Sequence, residues 1–280
     1  MLINFIIGFI FACAIAAIAY QHGSLSTSGA VGAIITGTMI FSFGSLTWAA
    51  LLITFFVTSS ALSHYKELSK ESIAEKFRKG NRRDIWQVLA NGGWGAAIAL
   101  VFAFHPHPIL FSAFVGSIAT VNADTWATEL GVLSKKQPRL ITNGSIVETG
   151  TSGAITPFGT FAAFCGSLLI GFIAFSFSLI EDNVFNKLPF VPSMYLILIS
   201  TLSGLLGSLF DSFLGATVQA IYYCDFDHKE TESSVHSCGH KTRLIRGWRW
   251  LDNDLVNFIA SVFGSLTATW MYWMLMVRDI

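Results

Sequence analysis

A chain of 280 residues that is 53% hydrophobic and only 12% charged has about half the charge of an ordinary soluble domain. Its 17 basic and 17 acidic residues cancel, which excludes a nucleic-acid binder working through bulk charge, a disordered chain and, with four cysteines, a disulfide-stapled secreted domain. With a mean hydropathy of +0.60, an integral membrane protein remains. At about 20 apolar residues per span, there is room for roughly eight spans and for loops that do chemistry.

The apolar runs predict an all-α polytopic bundle with spans near 2–20, 29–44, 46–63, 86–104, 108–126, 154–179, 191–222 and 253–276. Cutting the 29–63 stretch once or not at all gives eight spans or seven. The first run has no basic residue before it and reads as a retained helix rather than a cleaved signal peptide. No Pro/Gly/Ser linker divides the chain, so residues 1–280 are expected to form a single membrane domain. No transit segment precedes the first span, and the expected setting is a bacterial cytoplasmic membrane.

Charge sets the sides. Of the 17 Lys and Arg residues, seven fall in 64–85, three in 132–152 and five in 223–252. Span parity puts these three loops on one face, and the positive-inside rule makes that face cytoplasmic. Both termini of an eight-span chain then lie on the other side.

Three acids interrupt the apolar pattern at the cytoplasmic ends of spans: Asp124 in VNADTWATELG, Asp211 in GSLFDSFLGATVQ and Asp254 in LDNDLVNF. A charge inside the hydrocarbon layer costs at least about 2.5–3.5 kcal/mol, so each marks a functional position, or else snorkels or caps a helix at the interface. Each has polar company at helical spacing: Thr128 with Asp124, Ser208 with Asp211, Asn257 with Asp254. Gln87 and Asn91 add oxygens on another span. Carboxylates with hydroxyl and amide oxygens suit a hard cation, and magnesium fits best, held by Asp124 and Asp211 and completed by water and phosphates.

Between the fifth and sixth spans, Lys135, Lys136 and Arg139 precede the run Gly150-Thr151-Ser152-Gly153. Glycines let backbone amides approach phosphate, a helix N-terminus attracts anions, and an arginine grips phosphate with two parallel bonds. The run is not a Walker A motif, and small residues also pack membrane helices. The last basic loop holds Cys224, His228, His236, Cys238 and His240. Cys224, Cys238 and His240 are the leading ligands for a zinc-stiffened loop; a Cys224–Cys238 disulfide and plain loop residues remain open. The run HYKELSKESIAEKFRKGNRRD predicts an amphipathic interfacial helix with Glu75 and Lys79 paired, its Arg83 free to bind a lipid phosphate.

In order, RRDIWQVLANGG, NADTWATELG, PRLIT followed by GTSGAIT, FDSFLGATVQ and LDNDLVN resemble the phytyl-phosphate kinase family, which includes the plant chloroplast enzyme and the transmembrane protein nineteen proteins. The resemblance runs from about Gly29 to the last span. DTWATELG with ETGTSG is also similar, more distantly, to blocks of CTP-dependent polyprenol kinases, although the Lys-Ser usual before the Gly-Thr block is absent. The resemblance implies a transferase that phosphorylates an isoprenyl monophosphate such as phytyl phosphate to its diphosphate, with a nucleoside triphosphate, CTP first, and magnesium. It makes Asp124, Asp211 and Asp254 the catalytic and metal candidates. Arg139, Gly150, Thr151, Ser152, Gly153 and Lys135 become candidates for the nucleotide phosphates, and Arg83 and Asn91 for the acceptor phosphate. The expected partners are the isoprenoid lipid, the nucleotide and the bilayer, with no nucleic acid. An ion-coupled transporter or lipid carrier and a CTP-dependent lipid cytidylyltransferase are the competing readings. A transporter would place its acids near mid-membrane rather than at one interface.

Overall fold

A computed structural model describes residues 2–65, 82–185 and 193–276. Among them are eight helices: α1 (Leu2–Gln21), α2 (Thr27–Phe43), α3 (Leu46–His64), α4 (Ile85–Phe104), α5 (Pro108–Gly131), α6 (Pro157–Phe185), α7 (Ser193–Thr217) and α8 (Asn253–Met276). Five short strands lie in the connections. β1 (Arg139–Leu140) pairs antiparallel with β2 (Ala154–Ile155), and β3 (Ile221–Cys224) pairs antiparallel with β4 (Lys229–Thr231) and β5 (Arg243–Arg246). The expected amphipathic helix over Lys66–Lys79 lies outside the described residues.

Helix boundaries follow local chemistry. Asp84 and Gln87 exchange backbone and side-chain bonds at 3.0 Å and 3.0 Å, a capping box that starts α4. Pro108 opens α5, where its missing N–H costs nothing. Six of the helices are long and apolar enough to cross a membrane, α2 is a shorter apolar helix, and α5 is the odd one out. The reason is position. Thirteen consecutive residues of α5, Phe111–Ala123, are buried, so it is sheathed by α3, α4, α6, α7 and α8 and needs no lipid-facing stripe. Trp48 of α3 anchors this core, with its ring 4.2 Å from Phe114 and 5.7 Å from Phe111. By contrast α1 packs on α2 and presents Ile3, Ile6 and Ile10 outward.

The helices alternate in direction as span parity requires. At one end His64 contacts the His22 carbonyl, and the Arg83 backbone pairs with Ser24 and Ser26. At the other end Glu181 of α6 accepts from Ser45 at 2.9 Å and from Thr47 at 2.7 Å, joining it to the α2–α3 turn.

Three predicted spans need correction. The run 191–222 does not stay helical to its end, because α7 stops at Thr217 and Ile221–Cys224 forms β3. Ile221 and Cys224 are buried and Tyr222 and Tyr223 half-buried, in a small sheet rather than a membrane helix. The run 154–179 enters its helix only at Pro157, after β2, and continues to Phe185. Thr156 accepts the Gly159 amide at 3.0 Å, which places the helix start. Beyond the predicted 126, α5 also runs on to Gly131.

Candidate functional site

Two of the three carboxylates marked as costly charges, Asp124 and Asp211, meet at one end of the bundle. Asp124 comes from the last turns of α5 and Asp211 from those of α7. Ser208, one turn before Asp211, donates to Asp124 Oδ1 at 3.4 Å. Asp211 Oδ2 is buried and has no hydrogen-bond partner among the described residues. A buried carboxylate oxygen without a donor is expensive, and a cation is the natural remedy. Both acids line a cavity of about 370 Å³ that also draws on α3, α4, α6, α8 and the loops at this end.

The loop Thr149–Thr156 forms one wall. Gly150 and Gly153 adopt φ of +84° and +81°, the left-handed region open to glycine, and Gly153 lies against the backbone of Ala216. Ser152 donates to Gln219 at 3.0 Å, Gln219 donates to Glu232 at 2.8 Å, and Arg246 bonds the carbonyls of Ser152 and Gly215 at 3.2 Å and 3.0 Å. The β3–β5 connection thus clamps this loop to α7. Burial pulls the Arg246 pKa down, while the charge of Glu230 opposes that shift.

Arg83 stands on the opposite wall. It donates to Ser60 at 3.2 Å and lies over the Phe56 ring at 5.9 Å. Burial lowers its pKa, and the charge of Glu129, which accepts from Ser63 at 2.7 Å, works the other way. Arg83 and Gln87 also border a second, apolar cleft of about 70 Å³ among α1, α2, α3 and α4, lined by Ile15, Phe41, Phe55 and Phe56. Polar cavity and apolar cleft therefore share a wall.

Of the residues singled out from sequence, Asp124, Asp211, Gly150, Thr151, Ser152, Gly153 and Arg83 line the polar cavity. Asn91 lines the apolar cleft instead. Asp254 is not in the lining; Asn253 and Asn257 on the same helix are. Arg139 is exposed, with its guanidinium donating to the Gly144 carbonyl at 2.7 Å, and Lys135 is exposed as well. Cys224, Cys238 and His240 gather in the β3–β5 connection, where both cysteines are free. Sequence reasoning missed Glu129, Gln219, Glu232 and Asn253 as cavity residues. An acid or amide in a polar loop costs nothing and so leaves no signal. Glu129 did carry one, as a second acid in the last turns of α5.

The carboxylates and hydroxyls are oxygen groups of the kind a hard cation takes, with Asp124 and Asp211 as its candidate ligands, and left-handed glycine backbone is the kind that admits phosphate.

A family described as integral membrane protein DUF92 matches residues 10–265. Protein PGR of Arabidopsis thaliana is 33% identical over 269 residues, covering 89% of this chain and 90% of its own. An uncharacterized membrane protein of Methanocaldococcus jannaschii is 29% identical over 271 residues, covering 97% of this chain and 95% of its own. Chloroplastic protein VTE6 of Arabidopsis thaliana is 30% identical over 252 residues, covering 87% of this chain and 64% of its own. No solved structure matches the chain.

Proposed function

The chain belongs to the integral membrane protein family DUF92, and we propose that it is a membrane-embedded kinase that converts an isoprenyl monophosphate of the phytyl type to its diphosphate with a nucleoside triphosphate, CTP foremost. One observation carries the reading: a cavity with two half-buried carboxylates, one oxygen of them unpartnered among the described residues, and a left-handed glycine loop shares Arg83 and Gln87 with an apolar cleft. A lipid phosphate needs such a junction, with an apolar place for its tail and a polar, cation-bearing place for its head. The resemblance of the sequence blocks to the phytyl-phosphate kinase family supplies the substrate class.

Phosphoryl transfer asks for placement and charge neutralisation rather than covalent help. In the proposed reaction an oxygen of the acceptor phosphate attacks the γ-phosphorus, the bond from that phosphorus to the β–γ bridging oxygen breaks, and the nucleoside diphosphate leaves with the electron pair. An acceptor phosphate is already ionised, so no strong general base is required. Arg83 holds it at the mouth of the cleft. The amides and hydroxyls of Thr149–Thr156 face the nucleotide phosphates and meet charge as it develops. Magnesium, when bound by Asp124 and Asp211, supplies further neutralisation.

The test incubates detergent-purified protein with magnesium, phytyl or geranylgeranyl monophosphate, and CTP or ATP in separate reactions, with products identified by mass spectrometry. Wild type should form the isoprenyl diphosphate, and Asp124→Asn should lower turnover by about 10²-fold or more without disturbing the folded protein. Near-normal turnover in Asp124→Asn would remove that residue from the metal site. Intact substrate with wild type, once nucleotide binding is verified, would overturn the kinase reading in favour of lipid transport.

A further inference from the structure

Between α7 and α8 the chain brings together four side chains that the cavity does not use. Cys224 ends β3 and is buried, and Asp227 lies in the turn to β4. His236 and Cys238 belong to a tight loop closed by the His236 amide on the His240 carbonyl at 2.9 Å and the Gly239 amide on the His236 carbonyl at 2.9 Å. One ligand atom from each of Cys224, Asp227, His236 and Cys238 lies within 4.8 Å of all the others.

The separations match a coordination shell. Cys224 Sγ and Cys238 Sγ are 3.7 Å apart, His236 Nδ1 is 3.2 Å from Cys238 Sγ, and the same nitrogen is 2.9 Å from Asp227 Oδ2. Tetrahedral zinc with ordinary bond lengths would set these edges at about 3.8, 3.5 and 3.3 Å. These three edges depart from that tetrahedron by tenths of an ångström, and the other three lie within 4.8 Å.

Hydrogen bonding alone accounts poorly for the contacts of His236. Its Nδ1 faces a carboxylate oxygen, which calls for a proton on the ring, and also the Cys238 amide at 3.4 Å, which calls for a lone pair. A cation between the nitrogen, the carboxylate and the two sulfurs accounts for the close nitrogen–carboxylate approach without a proton on that nitrogen. The turn carries a strain as well. His228 has φ +54°, the left-handed exception among the described non-glycine residues, and such a conformation persists where its surroundings fix it.

We propose that Cys224, Asp227, His236 and Cys238 form a structural zinc site. Two thiolates and an imidazole favour zinc over the hard cations, and four protein ligands close the shell. The set replaces the trio expected from sequence: Asp227 and His236 enter, and His240 stands outside. His240 Nδ1 is 3.5 Å from Cys238 Sγ and its ring stacks on Phe226 at 4.3 Å, the position of a residue that supports a ligand. The site ties the β3–β4 turn to the 234–242 loop on either side of Glu232. It thereby steadies the Glu232–Gln219–Ser152 chain at the cavity wall. The metal assignment does not depend on the reaction in the cavity.

The experiment is metal analysis of the full-length protein purified in detergent, together with cobalt titration of the wild type after zinc is stripped. About one zinc per chain is expected, kept in His240→Ala and lost in the Cys224→Ser/Cys238→Ser double variant. Cobalt should give thiolate charge-transfer bands and the intense visible absorption of a four-coordinate site. This wild-type reading decides the matter even if the double variant fails to fold. No stoichiometric zinc, a six-coordinate cobalt spectrum, zinc retained in the double variant or zinc lost in His240→Ala would each overturn the assignment.

Discussion

At Gly153 the backbone sits at φ +81°, and a Cβ there would run into the backbone and side chain of Ala216 on α7. Gly144, in the same connection, has φ +71° with nothing within 4 Å of an added Cβ. The pair separates two costs. An alanine at either position meets the left-handed penalty of about 1–2 kcal/mol, but only at 153 must the loop also move away from α7 and from Asp211. In the proposed reaction Gly153→Ala should therefore lose most turnover and melt somewhat lower while still folded in detergent, and Gly144→Ala should keep its turnover. Equal turnover in the two variants would mean that the glycine loop does not face the reacting groups. At this scale the legible residues are those that violate their surroundings. Asp124 and Asp211 stand in apolar runs, and glycines cluster before a helix. Asp254 has the same signature, but the cavity takes Asn253 and Asn257, which share a face at four-residue spacing. One residue of offset turns Asp254 by about 100° around α8. The charge of Arg139 is visible in the sequence, but charge does not reveal that its guanidinium donates to the Gly144 carbonyl.

Among the elements, the helices were legible because a bilayer demands long apolar runs with satisfied backbones, while strands of two to four residues leave no periodic trace. Sequence gave no hint that α5 is the innermost helix, since its composition is the least apolar of the longer ones. Its burial depends on small residues that let neighbours approach. A Cβ at Gly116 would meet Ala268 and Gly264 of α8, and one at Gly264 would meet Thr120 Oγ1 and, at 3.0 Å, the Gly116 carbonyl. Thr120 already donates to that carbonyl at 2.9 Å, so the crossing has no slack. Gly264→Leu should lower the thermal stability of the purified protein by about 1–3 kcal/mol, the usual cost of overpacking. Leu266→Ala, at a side chain of the same helix that is 60% exposed, should change it little. Indistinguishable melting of these two variants would contradict the tight α5–α8 contact.

Over the whole molecule the charges cancel, yet 15 of the 17 basic residues fall in three connections, and the described parts of those connections line or border the cavity end. The far end carries the α4–α5 connection His105–His107 and the Glu181 contacts with the α2–α3 turn. Substrate supply gives this polarity a consequence. Nucleoside triphosphates are cytoplasmic, so a kinase must open its phosphate site there, and the positive-inside rule assigns the basic end to that side. Short epitopes inserted at Pro106 and at Asn143, both exposed in connections at opposite ends, test the orientation directly. In sealed right-side-out vesicles antibody should reach the tag at 106 at once and the tag at 143 only after permeabilisation. The reverse pattern would turn Asp124, Asp211 and the glycine loop away from the nucleotide pool, and a kinase fed from the cytoplasm would no longer be tenable.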